Sequence, residues 1–294
     1  MERVTPDEIF KRSIELSKKF SPCEICPREC KAKRLEGQRG VCGAGKFVVV
    51  SSYGGHFGEE RVLVGERGSG TIFFSGCSLK CIFCQNYDIS WSIRGYEVDI
   101  EDLAEIMLEL QDQGRHNINL VTPTHYAPQI LAAIGIAKKR GLKIPIVWNS
   151  GGYDKVEVLR EFEGVIDIYM PDFKYWDKKL AKKLSNAEDY PEIAKEAIKE
   201  MYRQVGDLVI DKRGLAVKGL LVRHLVMPDC VEDSKKIMEF LYKLSPNTFV
   251  NIMDQYIPYY RACEVPEINR PISYTEYEEV LNYAKKIGLR RFAL

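Results

Sequence analysis

The stretch "GTIFFSGCSLKCIFCQNYDIS", Gly70–Ser90, holds three cysteines, Cys77, Cys81 and Cys84, within eight residues at the end of an apolar run. The run Thr71–Phe74 is short, β-branched and aromatic, and glycines bound it on both sides, which reads as a buried strand delivering Cys77 at its C-terminal end. A disulfide takes two thiols and a closed tetrahedral metal site takes four. Three thiolates at spacings of four and three can instead occupy three corners of an iron–sulfur cube, leaving one iron open.

Outward from this stretch the pattern alternates. Helical periodicity over 99–113 precedes "INLVT", and a helix over 127–140 precedes "IPIVWN". Helices near 154–162 and 191–204 precede "VIDIYMPDF" and "GLLVRHLVMP"; a helix over 231–243 precedes "TFVNIM", and Tyr274–Ile287 closes the series. Short apolar strands alternating with helices specify βα units and a parallel sheet. About six units are visible, against the eight of a full barrel, so the expected fold class is α/β, a partial (β/α)6 TIM-type barrel. Polar residues collect at the strand ends: Cys77, Thr122 to His125, Asn149 to Gly152, Asp172 to Lys174, His224, and Asp254 with Gln255. That is the end at which such sheets place their chemistry.

The Cys77-x-x-x-Cys81-x-x-Cys84 spacing, with aromatic Phe83 before the last cysteine, resembles the signature of the radical S-adenosylmethionine (SAM) superfamily. With "NLVTPTHYAPQIL", "IYMPDFKY", "VRHLVMP" and "MDQYIP" it looks like the pyruvate formate-lyase activating enzyme-like group, over roughly Ser21 to Gly288. The resemblance implies a [4Fe–4S] cluster on Cys77, Cys81 and Cys84, with SAM chelating the open iron. It also implies one-electron cleavage to a 5′-deoxyadenosyl radical, hydrogen abstraction from a substrate, and a reducing partner such as ferredoxin or flavodoxin. By the same resemblance Phe83, Thr124, His125, Asn149, Asp172, Lys174 and His224 are the candidate cofactor-binding residues. Thr122-Pro123-Thr124-His125 stands where many superfamily members carry Gly-Gly-Glu against the SAM ammonium, so Thr124, His125 or backbone carbonyls alone are expected there. Alternation puts Asp172 and Lys174 on one side of an extended segment, and puts Arg223 and His224 on opposite sides. Of that pair, His224 is expected to face the site, with Met227 beside the adenine.

A second set precedes the barrel: Cys23, Cys26, Cys30 and Cys42, four cysteines in twenty residues rich in Gly and Pro. Four thiolates fit a structural Zn2+ site or a second, fully ligated [4Fe–4S] cluster, and the spacing leaves both open. Residues 1–60 are expected to form an N-terminal helix with this knuckle, and residues 61–294 the barrel. Cys230 and Cys263 stand alone and read as packing residues.

The 43 Lys and Arg residues balance 42 Asp and Glu, a formal charge of +1, which gives no bulk argument for nucleic acid or a membrane surface. Residues 1–46 are mildly basic, with 11 Lys/Arg against 7 Asp/Glu. No signal-peptide core and no apolar run of membrane-spanning length is present, so a cytoplasmic protein is expected. In that setting nine cysteines point to metal or redox chemistry rather than disulfides. The leading reading is a radical SAM oxidoreductase of the activating type, abstracting hydrogen from a glycine backbone of a partner enzyme or from another substrate. The alternatives are the same chemistry on a small molecule, peptide or RNA, or a non-catalytic iron–sulfur electron carrier.

Overall fold

The protein was analysed as a computed structural model, which describes residues 4–293. Helix α1 (Pro6–Ser17) opens the chain on Thr5, whose hydroxyl accepts from the Glu8 N–H, and its buried face carries Ile9 and Leu16. A cysteine-bearing loop with a one-turn segment at Arg34–Glu36 leads to strand β1 (Val48–His56), the short helix α2 (Arg61–Val64) and strand β2 (Ser69–Phe74). The three-cysteine loop follows, then α3 (Tyr87–Ser90), β3 (Tyr96–Val98), α4 (Ile100–Asp112) and β4 (Ile118–Val121). Next come α5 (Ala127–Lys139), β5 (Ile146–Ser150), α6 (Val156–Glu161), β6 (Ile168–Pro171), α7 (Lys178–Ser185) and α8 (Tyr190–Val205). The chain ends with β7 (Val209–Ile210), β8 (Ala216–Leu225), α9 (Val231–Leu244), β9 (Phe249–Met253), α10 (Tyr274–Ile287) and β10 (Arg291–Phe292).

The sheet runs β10-β9-β8-β6-β5-β4-β2-β1-β3, with β7 beside β8. Strands β2, β4, β5, β6, β8 and β9 pair parallel in that order. These are the six βα units expected. At one edge β1 pairs antiparallel with β2, and β3 with β1. At the other, β10 adds a parallel pair to β9.

Two apolar clusters organise the interior. The larger lies between the sheet and its helices and extends into the N-terminal loop, joining Ile9, Ile25 and Ala44 to Tyr126 and Ile134. Helix α1 crosses α5 at Gly135, where an added Cβ would stand 3.3 Å from Ile9. The smaller cluster gathers Val147, Ile168, Met170, Leu221 and Phe249 inside the curve of the sheet. Because side chains alternate along a strand, residues two places further on, Asn149, Asp172, Arg223 and Asn251, share that inner face and stand at the C-terminal rim.

Two differences from the sequence reading have simple causes. Taken alone, the sequence "KFVVVSSYGGHFGEE" predicts a strand running into a glycine turn, but β1 runs through Gly54 and Gly55 to His56. The guanidinium of Arg115 lies over Gly55, 2.3 Å from where a Cβ would sit, so the glycine keeps room for a side chain while staying extended. Helix α7 was not anticipated. Its sequence, KKLAKKLS, offers few apolar positions, but the Asp177 carboxylate caps Leu180 N–H and its buried face carries Ala181 and Leu184.

Candidate active site

The three-cysteine loop takes its shape from local backbone. Gly76 sits at φ +89° and Lys80 at φ +49°, turning the chain back twice within five residues. A Cβ on Gly76 would lie 2.6 Å from the Cys42 carbonyl, so only glycine fits against the N-terminal loop there. The thiols have assigned company: Leu79 N–H donates to Cys77 Sγ at 3.4 Å, Ser90 Oγ to Cys84 Sγ at 3.2 Å and Ser185 Oγ to Cys81 Sγ at 3.0 Å. The Trp91 indole N–H donates to the Cys81 carbonyl at 3.1 Å. Burial pushes the Cys77 thiol up to about 12, and Cys81 and Cys84 beside it add to the rise; burial also raises Cys84, again with Cys81. Cys77 and Cys84 thus sit in a setting that resists a bare thiolate, which a bound metal would relieve.

The loop opens onto a cavity of about 580 Å³ at the C-terminal ends of the parallel strands. Cys77, Cys81, Phe83 and Cys84 line it, and so do Asn149, Asp172 and Lys174. Lys174 Nζ pairs with Asp172 Oδ2 at 2.5 Å. Burial works against the Lys174 ammonium, but Asp172 and the nearby Cys81 outweigh it and the lysine is held charged. Tyr190 fixes the segment, its hydroxyl accepting from Lys174 N–H at 2.9 Å and lying 3.0 Å from the Asp172 carbonyl. Gly151 also lines the cavity, where a Cβ would meet Leu79 at 2.8 Å and Lys174 Cε at 3.7 Å.

Three expected residues lie elsewhere. Thr124 is buried beneath the rim, its hydroxyl donating to Asp154 Oδ1 at 2.6 Å, while Ser150 donates to the other carboxylate oxygen at 2.5 Å. His125 is fully buried, its Nε2–H donating to the Ser75 carbonyl at 2.8 Å; burial depresses it to about 3. His224 points away from the cavity, with Nδ1–H donating to the Phe173 carbonyl at 2.7 Å and Nε2 lying 2.8 Å from Ser234 Oγ on α9. Burial lowers it to about 4. The choice between the neighbouring pair is therefore reversed: Arg223, on the inner face of β8, lines the cavity. Met227 packs in the core, and Cys263 is exposed rather than packed.

The structure adds residues the sequence did not single out. Arg223 Nε donates to Glu60 Oε1 at 2.7 Å and Nη2 to Glu60 Oε2 at 2.8 Å; Nη2 also meets Glu59. Asn251 Nδ2 donates to Glu60 Oε1 at 2.7 Å. Burial raises Glu60, but Arg223 and Asn251 outweigh it and hold the carboxyl below its usual range. The adjacent acids in "GEERV" were the available signal, because a buried arginine on an inner strand face needs a counter-charge. Thr122, also lining the cavity, sits at φ +58°, a left-handed conformation that a β-branched residue rarely adopts.

At the N-terminal loop Cys23, Cys26 and Cys42 are buried and Cys30 is half-buried. Burial pushes Cys26 up to about 12, with Cys42, Cys23 and Cys30 each adding to it, so the four thiols share one neighbourhood. Among the described residues, no three Cys, His, Asp or Glu side chains are drawn in far enough to close on a single metal ion. Nor is any helix long and apolar enough to cross a membrane.

A family model described as the radical SAM superfamily matches residues 71–211, the span that carries the three cysteines, Asn149, Asp172 and Lys174. The chain belongs to the radical SAM superfamily. Family membership implies an enzyme that uses a [4Fe–4S] cluster, SAM and an external electron donor, and the triad and its cavity suit that set: three soft thiolates, with the paired charges of Lys174 and Asp172 lining the same cavity. Over 98% of its length the chain is 36% identical to the uncharacterized protein MJ0674 of Methanocaldococcus jannaschii, covering 82% of that protein. A second relative from the same organism, the uncharacterized protein MJ0808, is 24% identical over 91% of this chain and 79% of its own. Among solved structures, methylornithine synthase (PylB) aligns with a TM-score of 0.48 at 19% identity, over 74% of this chain and 60% of that one. A domain of pyruvate-formate lyase-activating enzyme from Bacteroides vulgatus aligns at 0.37 and 14% identity, over 66% and 89%.

Proposed function

We propose that this radical SAM protein is an activating-type enzyme. It would abstract hydrogen from a protein substrate in the manner of the glycyl-radical enzyme activases and draw its electron from a ferredoxin or flavodoxin in the cytoplasm. The observation that carries the radical step is that Cys77, Cys81 and Cys84 open onto the same cavity as Asn149, Asp172 and Lys174. When bound there, the cluster and SAM supply a one-electron cleavage that generates a hydrogen-abstracting radical. Lys174, held cationic by Asp172, donates to the SAM carboxylate; Asp172 accepts from its ammonium; Asn149 faces the ribose. Phe83 packs beside Tyr175 and Tyr256, at ring distances of 6.4 and 5.9 Å, and helps close the site to water. Residues 1–60 would form a unit that carries zinc or a second cluster on Cys23, Cys26, Cys30 and Cys42.

The activating-type reading rests on the motifs "IYMPDFKY" and "VRHLVMP" and on the polar wall of Arg223, Glu59 and Glu60 beside Asp172. The test is anaerobic: protein reconstituted with iron and sulfide, reduced and given SAM is expected to form 5′-deoxyadenosine, and Cys81→Ala to form none. A well-formed cluster that releases no 5′-deoxyadenosine would favour the electron-carrier reading. Deuterium transfer from a backbone-labelled glycyl-radical protein into 5′-deoxyadenosine would identify the activase chemistry, and its absence would point to another substrate class.

A further inference from the structure

Arg34 is 0% exposed, yet among the described residues no carboxylate pairs with it. Its Nε donates to the Gly45 carbonyl at 3.0 Å and its Nη1 to the His125 carbonyl at 2.6 Å, while Nη2 is buried without a partner. The guanidinium lies 3.9 Å over the Phe20 ring. Its side-chain polar neighbour is a sulfur: Nη1 stands 3.9 Å from Cys23 Sγ. A buried cation facing two carbonyls, a ring and a thiol lacks the anion that burial requires. Cys23 is the nearest thiol to that cation, Cys42 also lies within its field, and Cys26 and Cys30 share the neighbourhood of those two.

We infer that Cys23, Cys26, Cys30 and Cys42 form an anionic metal–thiolate centre whose counter-charge is Arg34, and that this centre braces the three-cysteine loop. On binding, each thiol gives up its proton to solvent and forms a sulfur–metal bond; four thiolates around a divalent ion or a cube leave the centre negatively charged. The inference deepens the assignment of a second metal centre made above. The loop is tightly turned around these residues: Glu29, Lys31 and Gly43 take positive φ values, and a Cβ on Gly40 would fall 2.3 Å from Cys30 Sγ.

The bracing is direct. The Cys42 carbonyl presses on Gly76, immediately before Cys77. Arg28, between Cys26 and Cys30, reaches into the other loop, donating from Nε to the Ser78 carbonyl at 2.8 Å and from Nη2 to the Ser185 carbonyl at 2.7 Å. Ser185 in turn holds Cys81 Sγ. Metal at the knuckle therefore fixes both backbone supports of the radical site.

The test uses full-length protein purified anaerobically and read by elemental analysis. Beyond the iron of the triad, the wild type is expected to hold about one zinc, or roughly four further irons with sulfide; the two arms tell zinc from a cluster. Cys81→Ala keeps this complement and Cys26→Ser loses it. Arg34→Gln should release the metal to a chelator about tenfold faster, as loss of an outer partner does elsewhere, and Arg34→Lys should restore retention. The triad's electron paramagnetic resonance change on adding SAM should be weakened in Cys26→Ser. No metal beyond the triad, or equal release from Arg34→Gln and the wild type at unchanged circular dichroism, overturns the inference. Absence of 5′-deoxyadenosine alone counts against the proposed function and not against this centre, because Cys81→Ala separates the two.

Discussion

Two residues at the strand ends illustrate opposite uses of burial. Thr122 is held at φ +58° on the cavity wall, and a β-branched residue there costs of order 1–3 kcal/mol. Thr122→Gly is expected to raise the stability of the metal-free protein by about 1 kcal/mol in urea denaturation, part of the relieved strain being offset by glycine's entropy. Equal or lower stability would show that the wall tolerates the conformation without strain. His224 is buried neutral, with burial lowering it to about 4. A histidine depressed in the folded state binds its proton more readily when unfolded, so its contribution is complete above the unfolded value near 6.5 and is lost as pH falls from there toward 4. Over pH 6.5 to 5 it should steepen the loss of stability by up to about 1.4 kcal/mol per pH unit. His224→Gln is expected to flatten that slope in urea denaturations at pH 7, 6 and 5.

At the scale of elements, β8 carries the most informative misreading. Alternation correctly set Arg223 and His224 on opposite faces, but periodicity alone does not say which face is inward. Leu221 and Leu225, flanking Arg223 on the inner face, look no different from Leu220 and Val222 on the outer one. The partner that decides the matter, Glu60, lies 163 residues away. That Asn149 in β5, and Asp172 and Lys174 just after β6, reach the cavity was legible because the apolar runs fix the direction of those strands. Thr124 and His125 were not, because the one-turn segment after β4 rotates them under the rim toward Asp154 and Ser75. The Arg223–Glu60 pair links β8 to the segment before α2, with 15% and 2% of the two side chains exposed. Removing both carboxylates strands the buried arginine, so the Glu59→Gln/Glu60→Gln double variant is expected to cost about 3 kcal/mol of stability at pH 7. A loss under 1 kcal/mol in urea denaturation would mean that water solvates Arg223 in the variant. At the other end of the sheet, the Ser273–Glu276 capping box starts α10. Ser273→Ala there should cost about 1 kcal/mol, read as a shift of the urea midpoint.

For the molecule as a whole, the six-unit parallel sheet was readable because each βα unit repeats the same local alternation. What local pattern could not convey is how the N-terminal segment attaches. Strand β1 belongs to the same sheet as the barrel, α1 lies along α5, and Arg34 reaches the backbone beside the site. These contacts span long stretches of chain and have no periodic signature.

The contact between the Cys42 carbonyl and Gly76 also bears on how this protein can be rebuilt. A graft that transplants the barrel without its own first 46 residues leaves Gly76 free to flex just before Cys77. A graft that brings a foreign N-terminal segment must supply a backbone carbonyl at the same place. Segment exchange between relatives should therefore succeed only when residues 23–45 and 76–85 travel together as one cassette.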